Sequence, residues 1–128
     1  MLDQHGGFEM LAILMGLKSI SCREVSSLLT SRQAAVFDVN ANARWAAAHV
    51  PGARNLDPAQ FKVSDLPAEK HMQLVFYCSN FVCRKAPDAA RRAKAMGYTN
   101  VLVMSAGIQG WLRERLPVEA AEPGCSSA

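Results

Sequence analysis

The chain has 128 residues, half of them hydrophobic and a fifth charged, with a formal net charge of +3. This length predicts a single domain with its own hydrophobic core. The charge is mild, and neither interleaved aromatic residues nor a nucleic-acid-binding motif accompanies it, so we expect no nucleic-acid partner. The apolar stretch 10–17 is too short to cross a bilayer and lacks the basic segment and cleavage site of a signal peptide, so we expect no membrane contact.

The cysteines indicate a reducing compartment. Four of them stand at positions 22, 78, 83 and 125, and this irregular spacing is not that of a dense disulfide framework. Cys78 and Cys83 lack the second closely spaced ligand pair that a zinc site needs. We therefore predict a cytoplasmic protein with reduced thiols and no metal.

The chain divides into three predicted segments: an apolar N-terminal leader at 1–17, one domain at 18–117 and a flexible tail at 118–128. Ser21 and Glu24 have the spacing of a capping box at the start of the first helix. The predicted strands are 18–20, 34–39, 74–77 and 101–104, and the predicted helices are 21–30, 42–48, 87–96 and 106–112, with Pro87 in the first helical position.

Strands that alternate with helices in units of roughly 20–30 residues predict an α/β fold. We expect a parallel central sheet of about five strands with helices on both faces. In such sheets the loops at the carboxyl ends of the strands carry the functional site. Asp38 and Cys78 both lie at such strand ends.

The stretch after residue 77 is the most informative in the chain. A strand that passes into a helix through a tight loop places backbone N–H groups and a helix dipole near one side chain. If that side chain is Cys78, its thiolate is stabilised and becomes a nucleophile; alternatively, Cys78 simply ends a buried strand. Five basic residues follow the loop and favour a small anionic ligand, although the last three could form a solvated helix face: Arg84, Lys85, Arg91, Arg92 and Lys94.

Three separated segments together resemble the rhodanese family. Asp38-Val39 with His49-Val50-Pro51-Gly52-Ala53-Arg54-Asn55 is similar to the family's D-V-R…G-H-I-P-G-A-x-N segment. Val75-Phe76-Tyr77-Cys78 resembles the strand that leads to the family's catalytic cysteine, and Ala106-Gly107-Ile108-Gln109-Gly110-Trp111 resembles its G-G-x-x-x-W segment. Their order and spacing are specific and cover residues from about 18 to about 115.

The resemblance implies a rhodanese-like fold and sulfurtransferase chemistry. Cys78 would take the sulfane sulfur of a small anion such as thiosulfate as a persulfide, and pass it to a thiol or protein acceptor, or to cyanide in an assay. The family implies no metal or organic cofactor. The loop that would cradle the anion and the persulfide consists of Ser79, Asn80, Phe81, Val82, Cys83 and Arg84, with Asp38, Arg84 and Lys85 in supporting roles.

The loop departs from the family pattern, because it is longer than usual and contains no glycine. Cys78 and Arg84 fit the C-x5-R signature of phosphatases and of arsenate reductases with this fold, in which Arg84 would clamp an oxyanion. Cys83 could be a resolving thiol that forms a disulfide with Cys78, or Val82 and Cys83 could form an inert, buried inner side of the loop. A binding module without catalytic activity is a further alternative.

Overall fold

The computed structural model describes residues 16–122, and a five-stranded sheet lies at their centre. Its strands are β1 (Lys18–Ser19), β2 (Ala34–Asp38), β3 (Arg54–Asn55), β4 (Gln73–Tyr77) and β5 (Val101–Val103). They lie in the order β1-β5-β4-β2-β3, and every neighbouring pair is parallel. The predicted parallel sheet of about five strands is confirmed. The two-residue edge strand β3 lies where the sequence predicted only a turn, because two residues are too few to show an alternating pattern.

Four helices connect the strands, together with a short 3-10 turn at Val63–Asp65. They are α1 (Cys22–Thr30), α2 (Asn42–Ala47), α3 (Lys85–Ala95) and α4 (Gly107–Arg113). The predicted capping box opens α1: Glu24 donates its N–H to the Ser21 hydroxyl, and Ser21 donates its N–H to the Glu24 carboxylate, each over 3.1 Å. Pro87 is the third residue of α3 instead of the predicted first, a position in the first turn where its missing N–H leaves no helical hydrogen bond unmade.

The helices cover both faces of the sheet, as predicted. On one face, α3 presents a row of alanines that packs against Phe37 and Phe76. Small side chains allow this helix to approach the strands closely. On the other face, Val25 of α1 and Trp111 of α4 pack against Val75. The sheet is therefore buried on both sides, as its nearly continuous apolar strands require.

The two ends of the described chain are held against the domain. Leu17, at the end of the predicted leader, is buried in the core, while residues 1–15 lie outside the described part. Glu119 exchanges two backbone hydrogen bonds of 2.9 Å with His49, and Ala121 donates its N–H to the carbonyl of Ala46 over 2.8 Å. Glu119 and Ala121 of the predicted tail are thus hydrogen-bonded to the domain. Over residues 16–122, no helix has the length and apolar character needed to span a bilayer.

Candidate active site

Cys78 lies at the carboxyl end of β4, the middle strand of the sheet. Two neighbouring strand ends fix this position, because Val39 donates its N–H to the carbonyl of Tyr77 and Met104 donates its N–H to that of Phe76. Side chains alternate along a strand, so Tyr77 points to the face of α1 and α4 and Cys78 to the face of α3. The Cys78 side chain is buried and belongs to the same core cluster as the α3 alanines.

The start of α4 holds the backbone at Cys78. Ile108 donates its N–H to the carbonyl of Cys78 over 2.9 Å, and Gln109 donates its N–H to that of Ser79 over 3.0 Å. Gly107 precedes them with a φ of +66°, and a Cβ there would lie 2.6 Å from the Cys78 carbonyl oxygen. Only glycine permits both the positive φ and this close approach. This contact was not predicted from the sequence, where the available signal was a glycine in the turn between the last strand and α4.

The residues after Cys78 fold into a compact turn without glycine. The Asn80 side-chain oxygen accepts the Val82 N–H over 3.1 Å, and the Asn80 carbonyl accepts the Cys83 N–H over 3.3 Å. This turn brings Cys83 back over Cys78, whose Sγ lies 3.6 Å from the Cys83 carbonyl oxygen. Val82 is 70% exposed. The alternative in which Val82 and Cys83 both form a buried inner side is therefore wrong for Val82; only Cys83 packs against the core.

The two thiols of the loop differ in acidity. Burial raises the pKa of Cys78 from 9.0 to about 12, and a hydrogen bond with Cys83 adds to this effect, against the opposing influence of the Ala86 N–H. Burial also acts to raise the pKa of Cys83, but hydrogen bonds from the Cys78 thiol and from the N–H groups of Lys85 and Ser79 outweigh it and lower that pKa. The sequence predicts a stabilised thiolate at Cys78 if the loop surrounds that side chain, and a buried thiol otherwise. The two pKa values move in opposite directions, because Cys78 is the more buried of the two thiols.

Asp38 is fully buried at the end of β2, and burial raises the pKa of its carboxyl. One of its oxygens accepts the Asn40 N–H over 2.8 Å, which fixes the loop between β2 and α2. Asp38 is in register with Tyr77, so its side chain points to the face opposite that of Cys78. It acts on the neighbouring loop and does not contact the thiol pair directly.

The basic residues separate into two groups. Arg84 is the N-cap of α3 and Lys85 its first residue, and both are exposed beside the loop. Arg92 instead donates its Nε–H to the Phe61 carbonyl over 3.1 Å, and Lys94 donates its Nζ–H to the Gly16 carbonyl over 2.9 Å. Of these four residues, Arg84 and Lys85 lie next to the loop, where they can meet an anion.

A cavity of about 310 Å³ lies at the same edge of the sheet, between the first turn of α1 and α4. Phe81 of the loop lines it, together with Ser19, Ser105 and Arg113, but neither Cys78 nor Cys83 does. Among residues 16–122, no group of histidine, cysteine and acidic side chains is arranged to hold a metal ion.

The family model for the Rhodanese-like domain matches residues 21–114. This range includes all four helices and every strand except β1. The chain belongs to this family. Within the rhodanese-like domain, the loop from Cys78 to Arg84 occupies the junction of the middle strand with α3. The prediction of a rhodanese-like fold is confirmed.

Relatives with stated activities are similar along most of their length. The human thiosulfate:glutathione sulfurtransferase is 28% identical over 115 residues, which cover 79% of this chain and 98% of the relative. The thiosulfate sulfurtransferase GlpE of Haemophilus influenzae is 27% identical over 107 residues, 84% of this chain and 99% of the relative. The solved structure of the human single-domain sulfurtransferase TSTD1 superposes with a TM-score of 0.64 at 26% identity, over 75% of this chain and 96% of that one.

Proposed function

We propose that this rhodanese-like protein is a sulfurtransferase that carries sulfane sulfur as a persulfide on Cys78. The observation that carries the proposal is the position of Cys78, which is buried where the middle strand ends and has the loop to α3 folded over its Sγ. The N–H groups of Ala86 and Ser79 act to lower the pKa of that thiol, and the loop and the first turn of α3 hold them in place before an anion forms. The similarity to two thiosulfate sulfurtransferases supports the same chemistry.

In the first step Cys78 gives up its proton, and the resulting thiolate attacks the outer sulfur of thiosulfate or of another persulfide donor. The sulfur–sulfur bond of thiosulfate breaks, and sulfite leaves with the bonding electron pair. Cys78 then carries one additional sulfur as a persulfide, whose anion the N–H groups of Ser79 and Ala86 stabilise. The exposed side chains of Arg84 and Lys85 attract the incoming dianion to this end of the loop.

In the second step an acceptor thiolate, or cyanide, takes the outer sulfur and returns Cys78 to the thiolate. The acceptor in the cell is a small thiol or a protein cysteine, and no cofactor takes part. We place this activity in the cytoplasm, where thiols are kept reduced. The free thiols of Cys22, Cys78 and Cys83 support this assignment.

Thiocyanate formation from thiosulfate and cyanide tests the proposal. We expect turnover by the wild type and none by Cys78→Ser. In a Cys83→Ser protein, intact mass spectrometry after thiosulfate treatment should show a gain of one sulfur atom that cyanide removes. If neither the wild type nor Cys83→Ser gains sulfur and no thiocyanate forms, the sulfurtransferase assignment is wrong. Hydrolysis of an aryl phosphate and reduction of arsenate by the same proteins then test the Cys78-x5-Arg84 alternative, and a rhodanese-like binding module is what remains if both fail.

A further inference from the structure

A second thiol lies within the loop that surrounds Cys78. The turn closed by Asn80 folds Cys83 back, so that its carbonyl oxygen lies 3.6 Å from the Cys78 Sγ. The Cys78 thiol donates a hydrogen bond to that carbonyl, and the Ser79 N–H acts to lower the pKa of both thiols. Both side chains also belong to one packed cluster. The loop therefore holds two sulfur atoms in one nest of N–H donors.

The surroundings of the two thiols suit different roles. Cys78 is 3% exposed, whereas Cys83 is only partly buried. Donors from Ser79 and Lys85, together with the Cys78 thiol, lower the pKa of Cys83. A thiolate attacks disulfides and persulfides, and a thiol does not. Cys83 is thus the member of the pair that is ready to attack once Cys78 carries sulfur.

We propose that Cys83 is a resolving thiol, an inference that rests on the proposed function. Cys83 releases the outer sulfur of the Cys78 persulfide as hydrosulfide and forms a disulfide with Cys78. The Cys83 thiolate attacks the Sγ of Cys78, the atom that the turn places beside residue 83. The bond between that Sγ and the outer sulfur breaks, and the outer sulfur leaves with the electron pair, takes up the proton that Cys83 gave up and departs as hydrosulfide. The sulfane sulfur is reduced to sulfide while the two cysteine sulfurs are oxidised to a disulfide, so the step needs no external oxidant.

Attack on the inner sulfur is favoured over attack on the outer one by the leaving groups. Attack on the outer sulfur would expel the Cys78 thiolate, which burial makes strongly basic. Attack on the inner sulfur expels hydrosulfide, the anion of a stronger acid, and the less basic thiol leaves faster. A new cycle then needs two reducing equivalents, which an external dithiol or a pair of small thiols supplies by reducing the disulfide.

The test compares the fate of bound sulfur in wild type and Cys83→Ser. Both proteins are fully reduced, treated with thiosulfate and desalted rapidly to remove sulfite and all small thiols. Released sulfide and intact mass are then followed over time. We expect the wild type to release one sulfide per loaded protein and to become two protons lighter than its reduced form. Cys83→Ser should keep its added sulfur, with sulfide release at the buffer background.

The outcomes distinguish this inference from the proposed function. If both proteins load with sulfur and retain it equally, the resolving role is wrong and the sulfurtransferase assignment stands. Migration of the sulfur to Cys83 without sulfide release also overturns the resolving role. If neither protein loads, both proposals fail together. Cys22→Ala, which removes a thiol outside the loop, should release sulfide as the wild type does, and circular dichroism of each variant checks that the fold is retained.

Discussion

Two strand-to-helix junctions at the same edge of the sheet each bury a cysteine, but in different surroundings. Cys22 opens α1 just after β1, and Cys78 ends β4 just before the loop that leads to α3. Both side chains are nearly inaccessible, and burial raises the pKa of Cys22 to about 11 and that of Cys78 to about 12. Burial alone therefore produces a basic, unreactive thiol in either place.

The two junctions differ in the groups that surround the thiol. Near Cys22, the next largest influence after burial is the negative charge of Glu114, which also raises its pKa. Near Cys78 stand a second thiol and the N–H groups of Ser79 and Ala86. We therefore assign the proposed sulfur chemistry to the junction whose loop folds a second cysteine over the thiol, and not to the strand end by itself.

The largest expected effect comes from deleting one cysteine at each junction. Cys78→Ala should reduce thiocyanate formation to the uncatalysed background, because it removes the atom that carries the sulfur. Cys22→Ala should retain wild-type turnover, since that thiol lies outside the loop. Steady-state rates with thiosulfate and cyanide measure both. Equal loss of activity in the two variants would contradict the distinction between the junctions.

The next effect concerns the support beneath the loop. Gly107→Ala should lower the free energy of unfolding by about 2–3 kcal/mol and reduce sulfur loading. The new Cβ would clash with the Cys78 carbonyl, and the positive φ of residue 107 is strained for alanine. Gly52→Ala is the matched control: its φ of +77° is similar, but a Cβ there meets nothing within 4 Å. We expect that control to cost only about 1–2 kcal/mol of backbone strain and to leave loading unchanged. Urea unfolding and intact mass spectrometry measure the two quantities.

A smaller effect appears in the pH dependence of alkylation. The thiolate fraction rises as pH increases through the pKa, so Cys83 should react with iodoacetamide with a midpoint below 9.0, before Cys78 and Cys22. Cys78→Ala removes the hydrogen bond that lowers the Cys83 pKa and should shift this midpoint upward. Peptide mass spectrometry after alkylation at a series of pH values measures each site. An unchanged midpoint in Cys78→Ala would show that the thiols do not interact.

The smallest effect is on stability at the first junction. Cys22→Ala should destabilise the fold by about 1–2 kcal/mol, since it removes a buried sulfur. Because the folded-state pKa of Cys22 is raised from 9.0 to about 11, the folded protein binds more protons than the unfolded chain in that window. Wild-type stability therefore falls as pH rises above 9.0, and the decline should be shallower in the variant. Urea unfolding of both proteins above pH 9.0 measures this decline. If the free energy of unfolding falls with pH equally steeply in the wild type and in Cys22→Ala, the prediction is wrong.

Most of the fold could be predicted from the sequence, because its signals are local. The capping box of Ser21 and Glu24 and the apolar run before Cys78 mark a helix and a strand without knowledge of their neighbours. Tertiary contacts alone define the remaining elements. The edge strand β3 has two residues and no pattern of its own, and the binding of Glu119 to His49 joins residues that are distant in the sequence.

The candidate site was predictable in location but not in its electrostatics. The position of Cys78 at a strand end and the presence of Cys83 in the same loop follow from the sequence. Which of the two thiols has the lower pKa depends on relative burial and on N–H groups that only the folded loop brings together. The contribution of Gly107 was also hidden, because it acts through contact with a backbone carbonyl almost thirty positions earlier in the chain.

The most direct test of this account is to locate the first sulfur that the protein accepts. Reduced Cys83→Ser and wild-type protein would be treated briefly with thiosulfate, quenched with excess alkylating agent and digested. Fragmentation of the peptide that contains residues 78 and 83 would then show which cysteine carries the added sulfur. The account predicts sulfur on Cys78 in both proteins, with a Cys78–Cys83 disulfide accumulating only in the wild type. Sulfur on Cys83 alone in the wild type, together with an unloaded Cys83→Ser protein, would contradict it.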